Sequence, residues 1–416
     1  MNTDDRATGA GREDGHDAMR MSKTELRASL WLASLYAIRM LGLFLVMPVF
    51  ALHAAGMPGG DDVFWVGFAF GIYGLTQAIF QIPFGAASDR FGRKPVITVG
   101  LLIMCAGSML SAVAETVPML ALGRALQGAG AVSAAVSALV ADSTRDVNRS
   151  KAMALIGVMI ALSYALSLVI GPVMYERFAL SGIFVLTAAL ALVGIFVLWK
   201  LVPASAPHAP AAGAVRPPAR EVLHADLWRL NFGIFVLHLT QMALFVVLPA
   251  RLVAAGMPTG DHWQLYLPVV VAAFVLMLGP MRMAESKGRM RPVFLAGVLL
   301  VMLAQAGFAV PSQSMLWLGG LLVVFFVGFN LLEAMLPSLV SRLVPANGRG
   351  LALGVYSTSQ SLGVFAGGAL GGLMVRHLGA VGVSVASAAL LLIWWLLARQ
   401  ATRWPSAADA KAQAAG

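Results

Sequence analysis

The sequence predicts an all-α membrane protein in which twelve transmembrane helices form two pseudo-symmetric bundles of six. First, 59% of the 416 residues are hydrophobic and only 12% are charged, whereas soluble domains carry roughly 25% charged residues. Second, the apolar residues fall into segments of about 20 residues or more, the length that crosses a bilayer. Third, the second half of the chain repeats short motifs of the first half.

Each predicted span is bounded by short polar or charged loops, which hold most of the Lys and Arg residues. The net charge of +10 therefore does not predict a nucleic-acid surface. The first apolar run is too long for the core of a cleaved signal peptide, so we expect it to be a membrane helix. The twelve predicted spans are 28–52, 63–87, 95–114, 118–142, 151–173, 180–201, 229–251, 263–284, 292–311, 314–341, 350–374 and 379–399.

The positions of the basic residues predict the orientation of the chain. With the N-terminus in the cytoplasm, the tails and inner loops hold 23 Lys and Arg residues, while the outer loops hold only Arg177, Arg251 and Arg376. Basic residues concentrate in cytoplasmic loops. We therefore expect a multi-pass membrane protein with both termini in the cytoplasm.

The longest internal polar stretch divides the predicted spans into six and six. It is rich in Pro and Ala, a composition typical of an extended or disordered linker. The expected regions are an N-terminal tail 1–27, a six-helix bundle 28–202, a linker 203–228, a second bundle 229–400 and a C-terminal tail 401–416.

Motifs of the first bundle recur about 200 residues later. Leu43-Phe-Leu-Val-Met-Pro48 returns as Leu244-Phe-Val-Val-Leu-Pro249, and Ala54-Ala-Gly-Met-Pro58 returns as Ala254-Ala-Gly-Met-Pro258. Structural repeats of this kind place a substrate site between the halves, near the bilayer midplane.

The loop between spans 2 and 3 reads Gly85-Ala-Ala-Ser-Asp-Arg-Phe-Gly-Arg-Lys94. Its glycines permit positive φ and close backbone approach, and its basic residues favour the cytoplasmic side. The loop resembles the G-x-x-x-D-R-x-G-R-K signature of the major facilitator superfamily, which implies that Asp89 docks at the start of span 11 and closes the cytoplasmic side. In the alternative interpretation, the basic residues only set the topology. The predicted gate comprises Gly85, Asp89, Arg90, Gly92, Arg93 and Lys94.

Two further runs resemble motifs of this superfamily. Arg124-Ala-Leu-Gln-Gly128 in span 4 resembles the R-x-x-Q-G motif, which implies a role of Arg124 in proton coupling; the alternative is that Arg124 reaches toward the outer face. Gly171-Pro172 in span 5 matches part of the motif of the drug-exporting branch, G-x-x-x-G-P-x-x-G-G. Ser167 and Tyr175-Glu176 depart from that motif.

A proton site is predicted at Glu333 and His238. Glu333 is an acid inside apolar span 10 and can take up and release a proton as its access to water alternates. His238 in span 7 belongs to a residue type that titrates near neutral pH. Arg39 is a second arginine within an apolar span and is predicted, with Arg124, to tune the proton or substrate site; the alternatives for Arg39 are a structural ion pair or an anionic or carbonyl-bearing substrate. Intramembrane ionisable residues point to function, although structural pairing remains the alternative for Glu333 and His238.

Polar side chains at helical spacing predict the substrate cavity. They either line that cavity or bond to neighbouring helices. These residues are Tyr73, Gln77, Asn231, Gln241, Asn330, Tyr356 and Gln360.

The resemblance to the superfamily covers about residues 28–400, and it is closer to one bacterial inner-membrane member of the drug:proton antiporter branch. This closer likeness rests on Arg39-Met-Leu-Gly42, Gln81-Ile-Pro-Phe-Gly85 and Gly354-Val-Tyr-Ser-Thr-Ser-Gln360. It implies proton-coupled efflux by alternating access across the bacterial inner membrane. Such relatives can carry a soluble C-terminal domain, which we expect to be absent here.

The expected partners are a small-molecule substrate, protons and the lipid bilayer, without nucleic acid, for a monomeric protein. No cofactor or metal is expected, because the sequence holds no P-loop, no His/Cys cluster and no Gly-x-Ser-x-Gly turn. Three alternatives remain open at this point. They are a sugar or metabolite exporter or uncoupled facilitator, a membrane-embedded enzyme that uses His238 and Glu333, and a substrate-sensing receptor.

Overall fold

All regular structure in the described residues of the computed structural model is helical. These residues are 21–130, 132–203, 222–286, 288–345, 348–401 and Trp404, so most of the predicted linker and tails lies outside them. The helices are α1 Lys23–Phe44, α2 Phe50–Ala55, α3 Val63–Phe91, α4 Arg93–Ala112, α5 Val117–Ala129, α6 Ser133–Asp142, α7 Asp146–Lys200, α8 Ala225–Ala254, α9 His262–Ser286, α10 Met290–Phe308, α11 Met315–Leu343 and α12 Arg349–Arg399, with a 3₁₀ turn at Thr259–Asp261.

The helices confirm the predicted all-α membrane fold. Within the described ranges, nine helical stretches are long and apolar enough to cross a membrane. Two of them, within α7 and α12, are 50 and 51 residues long, more than twice the length that one crossing needs. Each contains one residue with non-helical dihedral angles, Ala179 or Gly379, at the boundary between two predicted spans. The number of twelve spans stays a prediction.

Two predicted spans are interrupted. Span 1 is divided into α1 and α2 by the turn that contains Pro48, and span 4 is divided into α5, which ends at Ala129, and α6, which begins at Ser133. The sequence patterns predicted neither break, although Pro48 lies in the first and Gly128 and Gly130 precede the second. Broken helices in membranes occur where the freed backbone groups find partners in the protein.

Left-handed backbone geometry recurs at equivalent positions of the two halves. Gly92 and Gly288, in the loops after α3 and α9, have φ of 91° and 64°. Ala179 and Gly379 have φ of 52° and 67°. The repeat predicted from sequence motifs is therefore also present in the backbone, with Ala where the second half has Gly.

Replacing Ala179 by Gly is expected to stabilise the protein. A residue with φ 52° and ψ −167° lies in a backbone region that essentially only Gly occupies. A residue with a side chain there lowers the stability by roughly 1–3 kcal/mol. Thermal unfolding of the detergent-solubilised protein measures the effect. The matched variant Gly379→Ala should lower the unfolding temperature, and a lower unfolding temperature for Ala179→Gly would contradict the prediction.

The two halves meet through α3 against α12 and through α7 against α9. We call the end of the bundle that holds the α3–α4 loop the inner end, and the end where α3 begins at Val63 the outer end. At the outer end, an added Cβ at Gly67 would lie 2.2 Å from the carbonyl oxygen of Gly368, and one at Gly74 would lie 2.4 Å from that of Ser361. We call this contact between α3 and α12 the glycine seam.

The contacts between the halves differ at the two ends of the bundle. At the outer end, Arg376 Nη1 at the end of span 11 donates to Asp62 Oδ2 at 2.7 Å, just before α3. At the inner end of α12, an added Cβ at Gly350 or Gly354 would meet nothing within 4 Å. The outer end is therefore closed by backbone contact and an ion pair, whereas the inner part of α12 stands clear of α3.

Glu25 joins the start of α1 to the loop after α6. It forms a capping box with Ser22, and Arg145 donates to its Oε1 from both the backbone N at 2.8 Å and Nε at 2.9 Å. Asn148 donates to Oε2 at 3.2 Å. The hydrogen bond from the Arg145 guanidinium is the main cause that lowers the pKa of Glu25 to about 2.

This lowered pKa predicts a loss of stability in acid. The contribution of Glu25 is present above pH 4.5, its ordinary pKa, and is lost as the pH falls toward 2. Arg145 is half-exposed, so solvent screens its charge. We therefore expect Glu25 to contribute about 1–2 kcal/mol to the free energy of unfolding. Glu25→Gln should lower the unfolding temperature at pH 7 and flatten its dependence on pH below 4.5, while Glu115→Gln, an exposed acid, should change neither.

Candidate functional site

Two of the four residues predicted for proton coupling, Glu333 and His238, meet in one cluster between α8, α11 and α12, whereas Arg39 and Arg124 lie in the first half. The side-chain amide nitrogen of Gln360 lies 3.1 Å from Glu333 Oε1 and 2.9 Å from His238 Nε2. His238 Nε2 lies 3.9 Å from Glu333 Oε2. Sequence reasoning predicted all three residues, and the structure places Gln360 as the bridge between the other two.

The hydrogen bonds of this cluster are consistent with one tautomer of His238. Nδ1 lies 3.2 Å from the carbonyl oxygen of Ile234, so Nδ1–H can donate there while Nε2 accepts from Gln360. Glu333 Oε2 is enclosed and has no hydrogen-bond partner. In the described part of the chain, no Lys or Arg forms an ion pair with Glu333, so the geometry leaves one carboxyl oxygen free to carry a proton.

Tyr164 on α7 is a central residue that the sequence analysis missed. Its hydroxyl accepts a hydrogen bond from the Gln241 side chain on α8 at 3.0 Å, which joins the two halves. Its ring packs against Phe44, Phe326 and Phe329, with centroid distances of 5.0, 5.9 and 6.3 Å. Phe329 also lies 5.6 Å from the His238 ring. An aromatic cluster thus adjoins the Glu333 cluster at the junction of the halves.

Arg39 is buried in the first half, with 3% of its surface exposed. Its Nη1 donates to Ser133 Oγ at 2.8 Å and its Nη2 to the Tyr73 hydroxyl at 2.9 Å. Its Nε is buried without a partner. Ser133, at the first residue of α6, was not among the predicted site residues because nothing in the sequence marked the helix break.

Arg124 is also buried and approaches the same tyrosine. Its guanidinium lies 4.9 Å from the centroid of the Tyr73 ring and 5.9 Å from that of Phe50. Nη1 donates to Gln127 Oε1 at 2.8 Å, and Gln127 in turn donates to Ser108 at 2.7 Å. Arg124 therefore does not reach toward the outer face, and the Gln of the R-x-x-Q-G run is its direct partner.

The residues on either side of Gly92, at the end of α3 and the start of α4, form their own network at the inner end. Arg93 pairs with Asp89 and donates from Nε to Asp142 at 2.9 Å and from Nη1 to Ser88 at 2.7 Å. Lys94 donates to the carbonyl oxygen of Val202 at 2.8 Å. Asp89 remains 65% exposed and the structure does not bring it against the start of α12. The gate contact therefore stays a prediction.

The other predicted residues are divided between buried and half-buried positions. Asn231 and Tyr356 are buried with polar atoms that lack partners, whereas Gln77 and Asn330 are half-buried. An added Cβ at Gly171 would lie 2.6 Å from the carbonyl oxygen of Leu45, so the Gly171-Pro172 motif lets α7 approach span 1. Gly85 and Arg90 lie in the last turns of α3, so most of the predicted loop 85–94 is helical and only Gly92 separates α3 from α4. Within the described ranges, neither residue bonds to α12.

Comparison with known proteins tests the predicted family. The family model described as Major Facilitator Superfamily matches residues 32–367. The inner membrane transport protein YajR of Escherichia coli is 43% identical over 91% of this chain and 84% of its own length, which confirms the closer resemblance to a bacterial inner-membrane member. The multidrug resistance protein MdtH of Klebsiella pneumoniae is 28% identical over 80% of this chain and 81% of its own length.

Solved structures share the fold at low sequence identity. A bacterial homologue of the human lysosomal transporter Spinster, in an inward-facing and occupied conformation, has a TM-score of 0.74 and 14% identity over 93% of this chain and 100% of that one. The human organic anion transporter MFSD10 has a TM-score of 0.67 and 16% identity over 90% and 99%. Both likenesses concern the fold alone.

Proposed function

Because the chain belongs to the major facilitator superfamily, we propose that it exports small, amphipathic molecules across the bacterial inner membrane in exchange for protons. Membership makes it a multi-pass membrane transporter rather than an enzyme. Such proteins work by alternating access, in which the two halves open toward one side of the membrane and then the other around a central site.

The observation that carries proton coupling is the cluster of Glu333, Gln360 and His238. Glu333 has no cationic partner among the described residues, and its Oε2 lies 3.9 Å from His238 Nε2. A proton bound by this pair removes the charge from the half-buried carboxylate of Glu333, a charge that is costly to keep in a low-dielectric surrounding. Proton binding would then favour one of the two conformations, as coupling requires.

Efflux of amphipathic molecules is supported by the aromatic cluster and by one relative. The rings of Tyr164, Phe326 and Phe329 are buried next to Glu333 at the junction of the halves, and they would become an apolar contact surface when that junction opens. Cations and aromatic compounds both bind such surfaces. MdtH, whose name describes multidrug resistance, is a homologue over 80% of this chain.

The remaining predicted residues receive supporting roles in this proposal. Asp89 would dock at the start of α12 when the inner end closes, since the inner part of α12 is free to receive it. Arg124 and Arg39 would tune the proton or substrate site from the first half. The excess of Lys and Arg in the inner loops supports a chain with both termini in the cytoplasm.

Inside-out vesicles with an acidic lumen and a pH-sensitive dye test the proposal. We would add lipophilic cations, neutral drugs, sugars and organic acids in turn. Under the proposal, one class dissipates the pH gradient only when the protein is present. If a labelled compound equilibrates without dissipating the gradient, proton coupling is wrong and the protein is a facilitator.

A further inference from the structure

The break in span 4 exposes the N-terminus of α6 inside the bundle. α6 runs over the ten residues Ser133–Asp142, and no side chain caps its first turn. The first N–H groups of a helix have no partner within the helix, and this end of the helix carries a partial positive charge. The Tyr36 hydroxyl donates a hydrogen bond to the carbonyl oxygen of Ser133 at 2.7 Å. It therefore does not satisfy these N–H groups.

Arg39 points its guanidinium at the same helix end. Nη1 donates to Ser133 Oγ at 2.8 Å, and Nε is buried without a partner. A cation next to a helix N-terminus is unfavourable, because both carry positive charge. Here the cation is 97% removed from solvent, since its exposed fraction is 3%, so water does not screen the repulsion.

A second guanidinium lies close by. Arg39 bonds to the hydroxyl of Tyr73, and Arg124 lies over the ring of the same Tyr73 at 4.9 Å. Among the residues described by the structure, no Asp or Glu pairs with either arginine; their partners are the neutral side chains of Ser133, Tyr73 and Gln127. A buried charge without a counter-charge is strongly destabilising. Ser133 is only half-buried, so one side of this region remains open.

We propose that the N-terminus of α6, together with Arg39 and Tyr73, binds an oxyanion, namely the carboxylate of a transported amphipathic substrate. Helix N-termini of broken membrane helices are suited to anionic groups, and a guanidinium matches a carboxylate with two N–H donors. Arg124 adds positive charge from beyond Tyr73. The inference rests on the proposed transport function, whose substrate class it would narrow to organic acids.

Thermal unfolding of the purified full-length protein with benzoate as the probe tests this site. Benzoate should raise the unfolding temperature, while the neutral isostere benzamide should not. Arg39→Gln should weaken the apparent benzoate affinity about tenfold or more, equivalent to about 1.4 kcal/mol, and Arg39→Lys should retain part of it. Arg177→Gln, at the outer end, is the matched control and should bind as the wild type does.

A carboxylate introduced into the protein itself gives a second test. Ser133→Asp places an acid at the α6 N-terminus beside Arg39 and should raise the unfolding temperature while abolishing the response to benzoate. Ser137→Asp, one turn further along the same helix, lies away from the helix end and should lower the unfolding temperature. A destabilised Ser133→Asp whose benzoate response persists would overturn the proposal.

The remaining outcomes separate the ligand sources. If inorganic sulfate or phosphate stabilises the protein as benzoate does, and Arg39→Gln removes the effect, the bound oxyanion is a free inorganic ion and the substrate assignment is wrong. If benzoate has no effect on the wild type, the site itself is wrong. Neither result depends on a proton gradient, so the vesicle assay of antiport stands or fails separately.

Discussion

Glu333→Gln is expected to abolish proton-coupled transport while leaving the protein folded. Gln has nearly the shape of Glu and can still accept the hydrogen bond from Gln360, whose nitrogen lies 3.1 Å from Oε1. It cannot bind or release a proton at the position facing His238. In vesicles, substrate-dependent proton flux should fall to the level of protein-free membranes, while substrate still binds and exchanges between the two sides.

The control for this variant is Asp61→Asn, an exposed acid at the outer end, which should transport as the wild type does. His238→Gln should reduce the flux less than Glu333→Gln, because His238 is the second member of the pair and Glu333 is the acid. If Glu333→Gln transports protons and substrate at wild-type rates, the cluster is structural and coupling lies elsewhere.

Gly368→Leu is expected to hold the outer end open. An added Cβ at Gly368 would lie 2.5 Å from the carbonyl oxygen of Gly67, and a neighbouring backbone cannot give way as a flexible side chain does. Overpacking of this kind costs about 1–3 kcal/mol, which would raise the population of the outward-open conformation by roughly tenfold or more.

A cysteine reporter measures this opening. The single native cysteine, Cys105, is replaced by Ala, and Val364→Cys places a thiol at the glycine seam. An impermeant maleimide added from outside should label the Gly368→Leu variant about tenfold faster. Gly320→Leu is the matched control, because an added Cβ there meets nothing within 4 Å. Equal labelling of both variants would show that the seam does not govern closure.

Much of the fold follows from patterns that act over short distances. Apolar length, loop charges and repeated motifs predicted the helices, and the predicted span boundaries agree with the turns at Ala179 and Gly379. The proximity of Glu333 and His238 was also predictable, because both are conspicuous polar residues in apolar helices. Gln360 was predicted only as a cavity residue. Its bridging position depends on how α12 packs against α8 and α11.

The residues that were missed act through long-range contacts. Asp62 and Arg376 are 314 residues apart, and each looks like an ordinary charge at a helix end. The sequence around Tyr164 is typical of any apolar helix. Tyr164 joins the two halves only because Gln241, in the other half, donates a hydrogen bond to its hydroxyl. Arg39 and Tyr36 form hydrogen bonds to Ser133 just after the break in span 4, and hydropathy contains no information on these contacts.

The enclosure of α8 has a consequence for the synthesis of the protein. Of the most apolar stretch of α8, 89% is buried inside the protein. Asn231, His238 and Gln241 on this helix are buried as well and do not face the lipid. When α8 leaves the ribosome, α7 is already present and Tyr164 can bond to Gln241. The bridge to His238 comes from Gln360 on α12, which is made last. Until then, α8 would expose costly polar groups to lipid, so the second half should be integrated into the bilayer as one late, cooperative unit rather than helix by helix.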